Sequence, residues 1–87
     1  MTIGKIMSWE EFREVCRADA YAWVIENTYK PDDLTDDLIL GEYPDDYFIE
    51  ITEDDEEYID YNTESIFTPE DFASETRVAA RQLLDEN

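Results

Sequence analysis

The chain has 87 residues, enough for one small domain (1–87) in which about 60 to 65% of the unfolded surface is buried on folding. With 25 Asp and Glu against 6 Lys and Arg and no histidine, its formal net charge is −19, which excludes unassisted binding to DNA, RNA or an anionic membrane face because every encounter begins with repulsion. Hydrophobic residues at 43% and aromatics at 14% are too many for a disordered acidic tail, so the chain is expected to fold and to have basic partners.

The N-terminal stretch MTIGKIMSWEE lacks the apolar core of a signal peptide, and no apolar run approaches the length that spans a bilayer. A lone Cys16 cannot form an internal disulfide, which suits a reducing interior. The expected setting is the cytoplasm.

Two helix starts are written in nearly the same letters, MSWEEF at residues 7–12 and FTPEDF at residues 67–72. Each has an apolar residue before the cap, a hydroxyl at the cap (Ser8, Thr68), acids in the first turn and a phenylalanine (Phe12, Phe72) placed to staple back onto Met7 or Phe67. The first predicted helix spans about residues 9–29, with Phe12, Val15, Cys16, Ala20, Trp23 and Val24 on its apolar stripe, and ends before Pro31. Trp9 and Trp23 are expected in the core, and Cys16 as a small buried hydrophobe.

The middle of the chain begins with Asp pairs 32/33 and 36/37, which a short helical turn lines along one flank while Leu34, Leu38 and Ile39 anchor the other; a strand over residues 38–40 is the alternative. Next, residues 47–52 (YFIEIT) and 57–63 (EYIDYNT) alternate and are rich in β-formers, which predicts a hairpin joined by EDDE. One hairpin face then carries Tyr47, Ile49, Ile51, Ile59 and Tyr61 to the core, while the other presents Phe48, Glu50, Thr52, Tyr58, Asp60 and Asn62. The last predicted helix spans about residues 69–85, with Phe72, Thr76, Ala79, Ala80, Leu83 and Leu84 inward and Arg77 and Arg81 paired with acids four residues away. The fold class is therefore α+β: an N-terminal helix, an acidic antiparallel hairpin or small sheet of two to three strands, and a C-terminal helix.

Charge is distributed unevenly along this plan. Residues 31–76 hold 18 acids and no base, and residues 50–64 alone hold eight acids; the rest of the chain has 7 acids and all 6 bases. A surface acidic only for solubility normally intersperses both signs. Carboxylates repeat every ~6.6 to 6.8 Å along one strand face and every ~6 Å along a helix face, so a folded display of them approximates a row of backbone phosphates. The display comprises Asp32, Asp33, Asp36, Asp37, Glu42, Asp45, Asp46, Glu50, Glu53, Asp54, Asp55, Glu56, Glu57, Asp60 and Glu64, with Phe48 and Tyr58 as aromatic anchors if the hairpin's outer face stays uncovered.

Catalysis and cofactors find little support. Without histidine there is no Ser-His-Asp or Cys-His system and no His-bearing zinc site, and glycine appears only at Gly4 and Gly41, too sparse for a phosphate loop. Residues 60–71 match part of a calcium-loop pattern, but Ser65 stands where glycine is required and Asp71 where a longer bidentate Glu belongs. No enzyme, metal or cofactor is expected.

In size, charge and aromatic content the chain resembles the small DNA mimics of phages and mobile elements that inhibit restriction enzymes or CRISPR effectors. The resemblance covers composition and the charged half, not a motif, and carries no residue across. It implies a stoichiometric inhibitor seated in the nucleic-acid groove of a host defence protein, in the host cytoplasm, with size leaning toward the anti-CRISPR kind. An immunity protein or antitoxin for a basic nuclease toxin uses the same electrostatics, as does an acidic adaptor for a basic protein.

Overall fold

The structure is a computed structural model and describes residues 2–86; Met1 and Asn87, the ends of the expected domain, lie outside the described residues. The architecture is α+β. A first strand β1 (Thr2–Met7) leads into helix α1 (Trp9–Tyr21), whose last turn widens into a π turn (Ala22–Glu26). A 3-10 turn (Pro31–Asp33) and helix α2 (Asp36–Leu40) follow, then strand β2 (Ile49–Ile51), helix α3 (Glu53–Glu57), strand β3 (Ser65–Phe67) and helix α4 (Pro69–Glu86). The three strands form an antiparallel sheet in the order β2-β1-β3, with Thr2 opposite Ile51 at one end of β1 and Met7 opposite Ser65 at the other.

The helix starts are local events and form as their letters dictate. Ser8 Oγ accepts from Glu11 N at 3.2 Å. At α4 the capping is reciprocal: Asp71 N donates to Thr68 Oγ1 at 3.2 Å and Thr68 N donates to Asp71 Oδ2 at 2.9 Å. Helix α4 buries Phe72, Thr76, Ala79, Ala80 and Leu83, as its spacing predicts, and Ala73 as well, although Leu84 is exposed.

The predicted hairpin is not present. Its first arm survives only as β2, and that segment pairs with the N-terminal strand β1, which the pattern of residues 2–7 had not announced. Its connection is instead α3, because Thr52 and Asp55 build a third capping box: Asp55 N donates to Thr52 Oγ1 at 3.3 Å and Thr52 N donates to Asp55 Oδ2 at 3.0 Å. Four acids in that first turn also face the positive end of the helix dipole. Residues 58–63 form turns rather than a second arm, so Tyr61 and Ile49 are exposed while Ile51 is buried and Tyr47 half-buried.

The first helix also ends earlier than its sequence suggests. The π turn, closed by a hydrogen bond from Asn27 N to Ala22 O at 2.9 Å, adds a residue to the turn that carries buried Trp23 and Val24. Thr28 at φ 60° then turns the chain away, with Tyr29 N donating to Trp23 O at 2.9 Å.

Two apolar clusters make the core. One gathers Ala20, Trp23, Val24, Leu34, Ile39, Ala79, Ala80 and Leu83 between α1, α2 and α4. The other is aromatic: Phe72 sits with its ring centroid between 5.0 and 6.4 Å from those of Phe12, Tyr43, Tyr47, Phe48 and Phe67, and Phe12 stacks on Phe67 at 3.9 Å. Trp9 departs from expectation. It lies at the rim of this cluster, 55% exposed, at the first position of α1, touching Phe12 and Phe67 by ring edges only.

Candidate protein-binding surface

Most acids of the base-free half fall into two groups, each held by a different part of the fold. The first is carried by the 3-10 turn and α2, both packed on α4. Thr35 caps α2 by accepting from Leu38 N at 3.2 Å, and buried Leu34 and Ile39 anchor the segment, which leaves Asp32, Asp33, Asp36 and Asp37 exposed on the outside. The predicted helical turn is there, and the alternative strand at 38–40 is not.

Two of these acids are neutralised, contrary to the expectation of an unpaired field. Arg77 pairs with Asp36, and Arg81 Nη2 lies 3.2 Å from Asp32 Oδ1. The arginines thus reach across to the acidic segment rather than pairing along their own helix. Exposed pairs of this kind contribute about 0 to 1 kcal/mol each, so they set orientation more than stability. Asp33 and Asp37 have no basic partner among the described residues.

The second group surrounds the end of the sheet. Glu50 is exposed on the edge strand β2, opposite Ile3. Helix α3 follows at once and buries none of its residues Glu53, Asp54, Asp55, Glu56 and Glu57. Glu50, Glu53 and Glu56 border one shared groove of about 430 Å3 with Thr2 and Thr52. Beyond α3, Asp60 organises the turn that follows: its Oδ1 accepts from Asn62 N at 3.1 Å and its carbonyl from Thr63 N at 2.9 Å and Glu64 N at 2.8 Å. Asp60 and Glu64 are both exposed on this turn, and Tyr58 stands 88% exposed at the C-terminal end of α3.

The remaining predicted residues lie between these groups. Asp45 and Asp46 are exposed in the turn closed by Tyr47 N donating to Pro44 O at 3.0 Å. Glu42, also exposed, borders a small cavity of about 70 Å3 with Asp19 and Trp23. Phe48 is not on display: it is half-buried, packed on Tyr43, Tyr47 and Phe72, so the aromatic anchor left among the acids is Tyr58.

Perturbed titrations gather in the core instead. Burial raises the Asp19 carboxyl above its ordinary value, a hydrogen bond from the Tyr43 hydroxyl opposes that shift, and nearby Glu42 adds to it. Burial and the Asp19 hydrogen bond together hold Tyr43 well above the usual phenol range. The Cys16 thiol, fully buried, is pushed up to about 12, chiefly by burial, and donates to Phe72 O at 3.7 Å. It is a protonated, inaccessible thiol at neutral pH.

Among the described residues no three Cys, Asp or Glu side chains converge as a metal site, and no helix is long and apolar enough to cross a membrane. No protein-family model matches the chain, and neither a curated protein nor a solved structure does.

Proposed function

We propose that the protein is a nucleic-acid-mimicking inhibitor, a binding protein rather than a catalyst, that occupies the positively charged DNA- or RNA-binding groove of a host defence protein in the cytoplasm and blocks it stoichiometrically. The target class is a CRISPR effector or a restriction enzyme. One observation carries the reading. Five consecutive carboxylates, Glu53–Glu57, stand on a capped helix that buries none of them, beside Glu50 and the ordered turn of Asp60 and Glu64, with no basic partner among the described residues. A solubility tail has no need of a capping box; a rigid row of negative charge presented to a basic groove does, since preorganised carboxylates bind without first being ordered.

The test is capture from host lysate on immobilised protein, elution with salt and identification by mass, followed by competition with nucleic acid on the purified target. A mimic is displaced by nucleic acid and releases steeply as salt rises. The double variant Asp54→Lys/Glu57→Lys, at two positions with no structural hydrogen bond, is expected to abolish capture while remaining folded. A partner whose nucleic-acid binding survives complex formation refutes the proposal and favours an acidic adaptor. A partner that is a nuclease toxin encoded beside this chain favours an immunity protein.

A further inference from the structure

A second recognition feature lies apart from the two acidic groups described above, where α1, β3 and α4 meet. A groove of about 390 Å3 opens there, lined by Trp9, Phe12, Ile66 and Phe67 together with Asp71, Ser74 and Glu75. Local structure explains the lining. Trp9 is the first residue of α1, and its indole is held by edge contacts to Phe67 at 5.0 Å and Phe12 at 5.8 Å. Buried Phe12 and Phe67 form the floor. Asp71, Ser74 and Glu75 are three and four residues apart on α4, which puts them on one flank of that helix.

Aromatic rings and carboxylates lining one groove are the chemistry that takes an organic cation. The ring face attracts it through the aromatic quadrupole, and the carboxylate accepts its hydrogen bonds. The Trp9 ring already attracts one such group, since the Arg13 guanidinium carbon lies 5.8 Å from its centroid. Arg13 does not border this groove; with Arg17 it borders the neighbouring concavity between α1 and α4, and Glu75 lies on the ridge that lines both. Asp71 spends one oxygen on the Thr68 cap, while among the described residues Glu75 has neither a hydrogen-bond nor an ion-pair partner. A groove of this volume suits one long side chain.

We infer that the groove is a docking site for an arginine side chain of a basic partner protein, the guanidinium lying against Trp9 and donating to Glu75. Arginine fits better than lysine because its planar, weakly hydrated fork both stacks on an aromatic ring and meets a carboxylate with two donors. The site goes beyond phosphate mimicry: it recognises a side chain by shape, whereas the acidic half acts as a field.

The experiment follows the Trp9 indole N–H by nitrogen-15 NMR while titrating acetyl-Gly-Arg-Gly-amide, with the norleucine and lysine counterparts in parallel. The arginine peptide is expected to shift the Trp9 signal saturably and the norleucine peptide not to. Glu75→Gln is expected to weaken binding about threefold, and Trp9→Leu about two- to fivefold, read from the Asp71 and Glu75 amides. Glu26→Gln, which removes the same charge at an exposed position on the far end of the first helix, is expected to leave it unchanged. Equal weakening by Glu26→Gln and Glu75→Gln overturns the proposal, because the peptide then responds only to net charge. A norleucine peptide that binds as well, or a lysine peptide that binds better, overturns it too. Should Trp9→Leu fail to fold, Glu75→Gln against Glu26→Gln still decides. Failure here leaves the lysate capture of the acidic half untouched, so the two readings stand or fall separately.

Discussion

Salt is expected to move the folding and the binding of this protein in opposite directions. Helix α3 places Glu53 and Glu57 four residues apart, and Glu53 and Glu56, as well as Asp54 and Glu57, three apart. Two carboxylates ~6 Å apart in water repel by about 0.7 kcal/mol. A screening length of ~30 Å at 10 mM salt leaves about four-fifths of that energy, and one of ~8 Å at 150 mM about half. Each pair is therefore relieved by about 0.2 kcal/mol and the three together by about 0.7 kcal/mol, with the rest of the net charge of −19 bringing the total to about 1 kcal/mol. The assay is urea unfolding followed by tryptophan fluorescence at 10 and 150 mM NaCl. With a slope of about 1 kcal/mol per molar urea, the midpoint is expected to rise by about 1 M. Asp54→Asn/Glu57→Gln removes two of the three α3 pairs and should shrink the gain by about 0.5 kcal/mol. Capture of the basic partner must weaken over the same salt range. A midpoint that stays put or falls with salt would refute the reasoning, because the carboxylates would then be compensated in the folded state.

Further outcomes follow from single residues. A Cβ on Gly4 meets Phe67 O at 2.5 Å, so Gly4→Ala is expected to cost about 1 to 3 kcal/mol in thermal unfolding, and a neutral result would deny the close approach of β3. Thr28, β-branched at φ 60°, is strained, and Thr28→Gly is expected to gain about 0.5 to 1 kcal/mol after the entropy cost of glycine; a loss in chemical unfolding would place the strain elsewhere. The Thr76 hydroxyl is buried with no nitrogen or oxygen partner and only the weakly accepting Cys16 sulfur beside it, so Thr76→Val is expected to stabilise by up to about 1 kcal/mol and Thr76→Ser to destabilise, the reverse order contradicting the assignment. Burial raises Asp19 above 3.8, so the folded state holds its proton more tightly than the unfolded state does. Its contribution to stability is present below 3.8 and is lost as pH rises through the folded value; Asp19→Asn should flatten the stability profile in that interval, and a parallel profile would exclude the effect.

What could be read from the sequence was local. Ser8 and Thr68 with their acids three residues on specify helix starts through hydrogen bonds that span a single turn, and both form where the letters put them. The stripe of α4, apart from exposed Leu84, and the burial of Cys16 follow from helical periodicity, whereas Trp23 is buried from a π turn that the period does not announce. The same code was present at Thr52 and Asp55, but the alternation of the flanking residues suggested a hairpin, and the capping box prevailed because its hydrogen bonds close within four residues.

Only the tertiary structure decided what depends on partners distant in the chain. β2 found its neighbour in residues 2–4, some forty-odd positions away, and no periodicity within either segment states that pairing. The charge count along the chain was legible, yet the neutralisation of Asp32 and Asp36 was not, since Arg81 and Arg77 reach them from a helix at the opposite end of the sequence. Trp9 read as core by composition and became the wall of a groove, because its exposure is set by where β3 and α4 come to lie beside it. Capping and helical stripes are short-range physics written into neighbouring residues; strand partners, ion pairs and grooves depend on contacts that exist only once the chain has closed on itself.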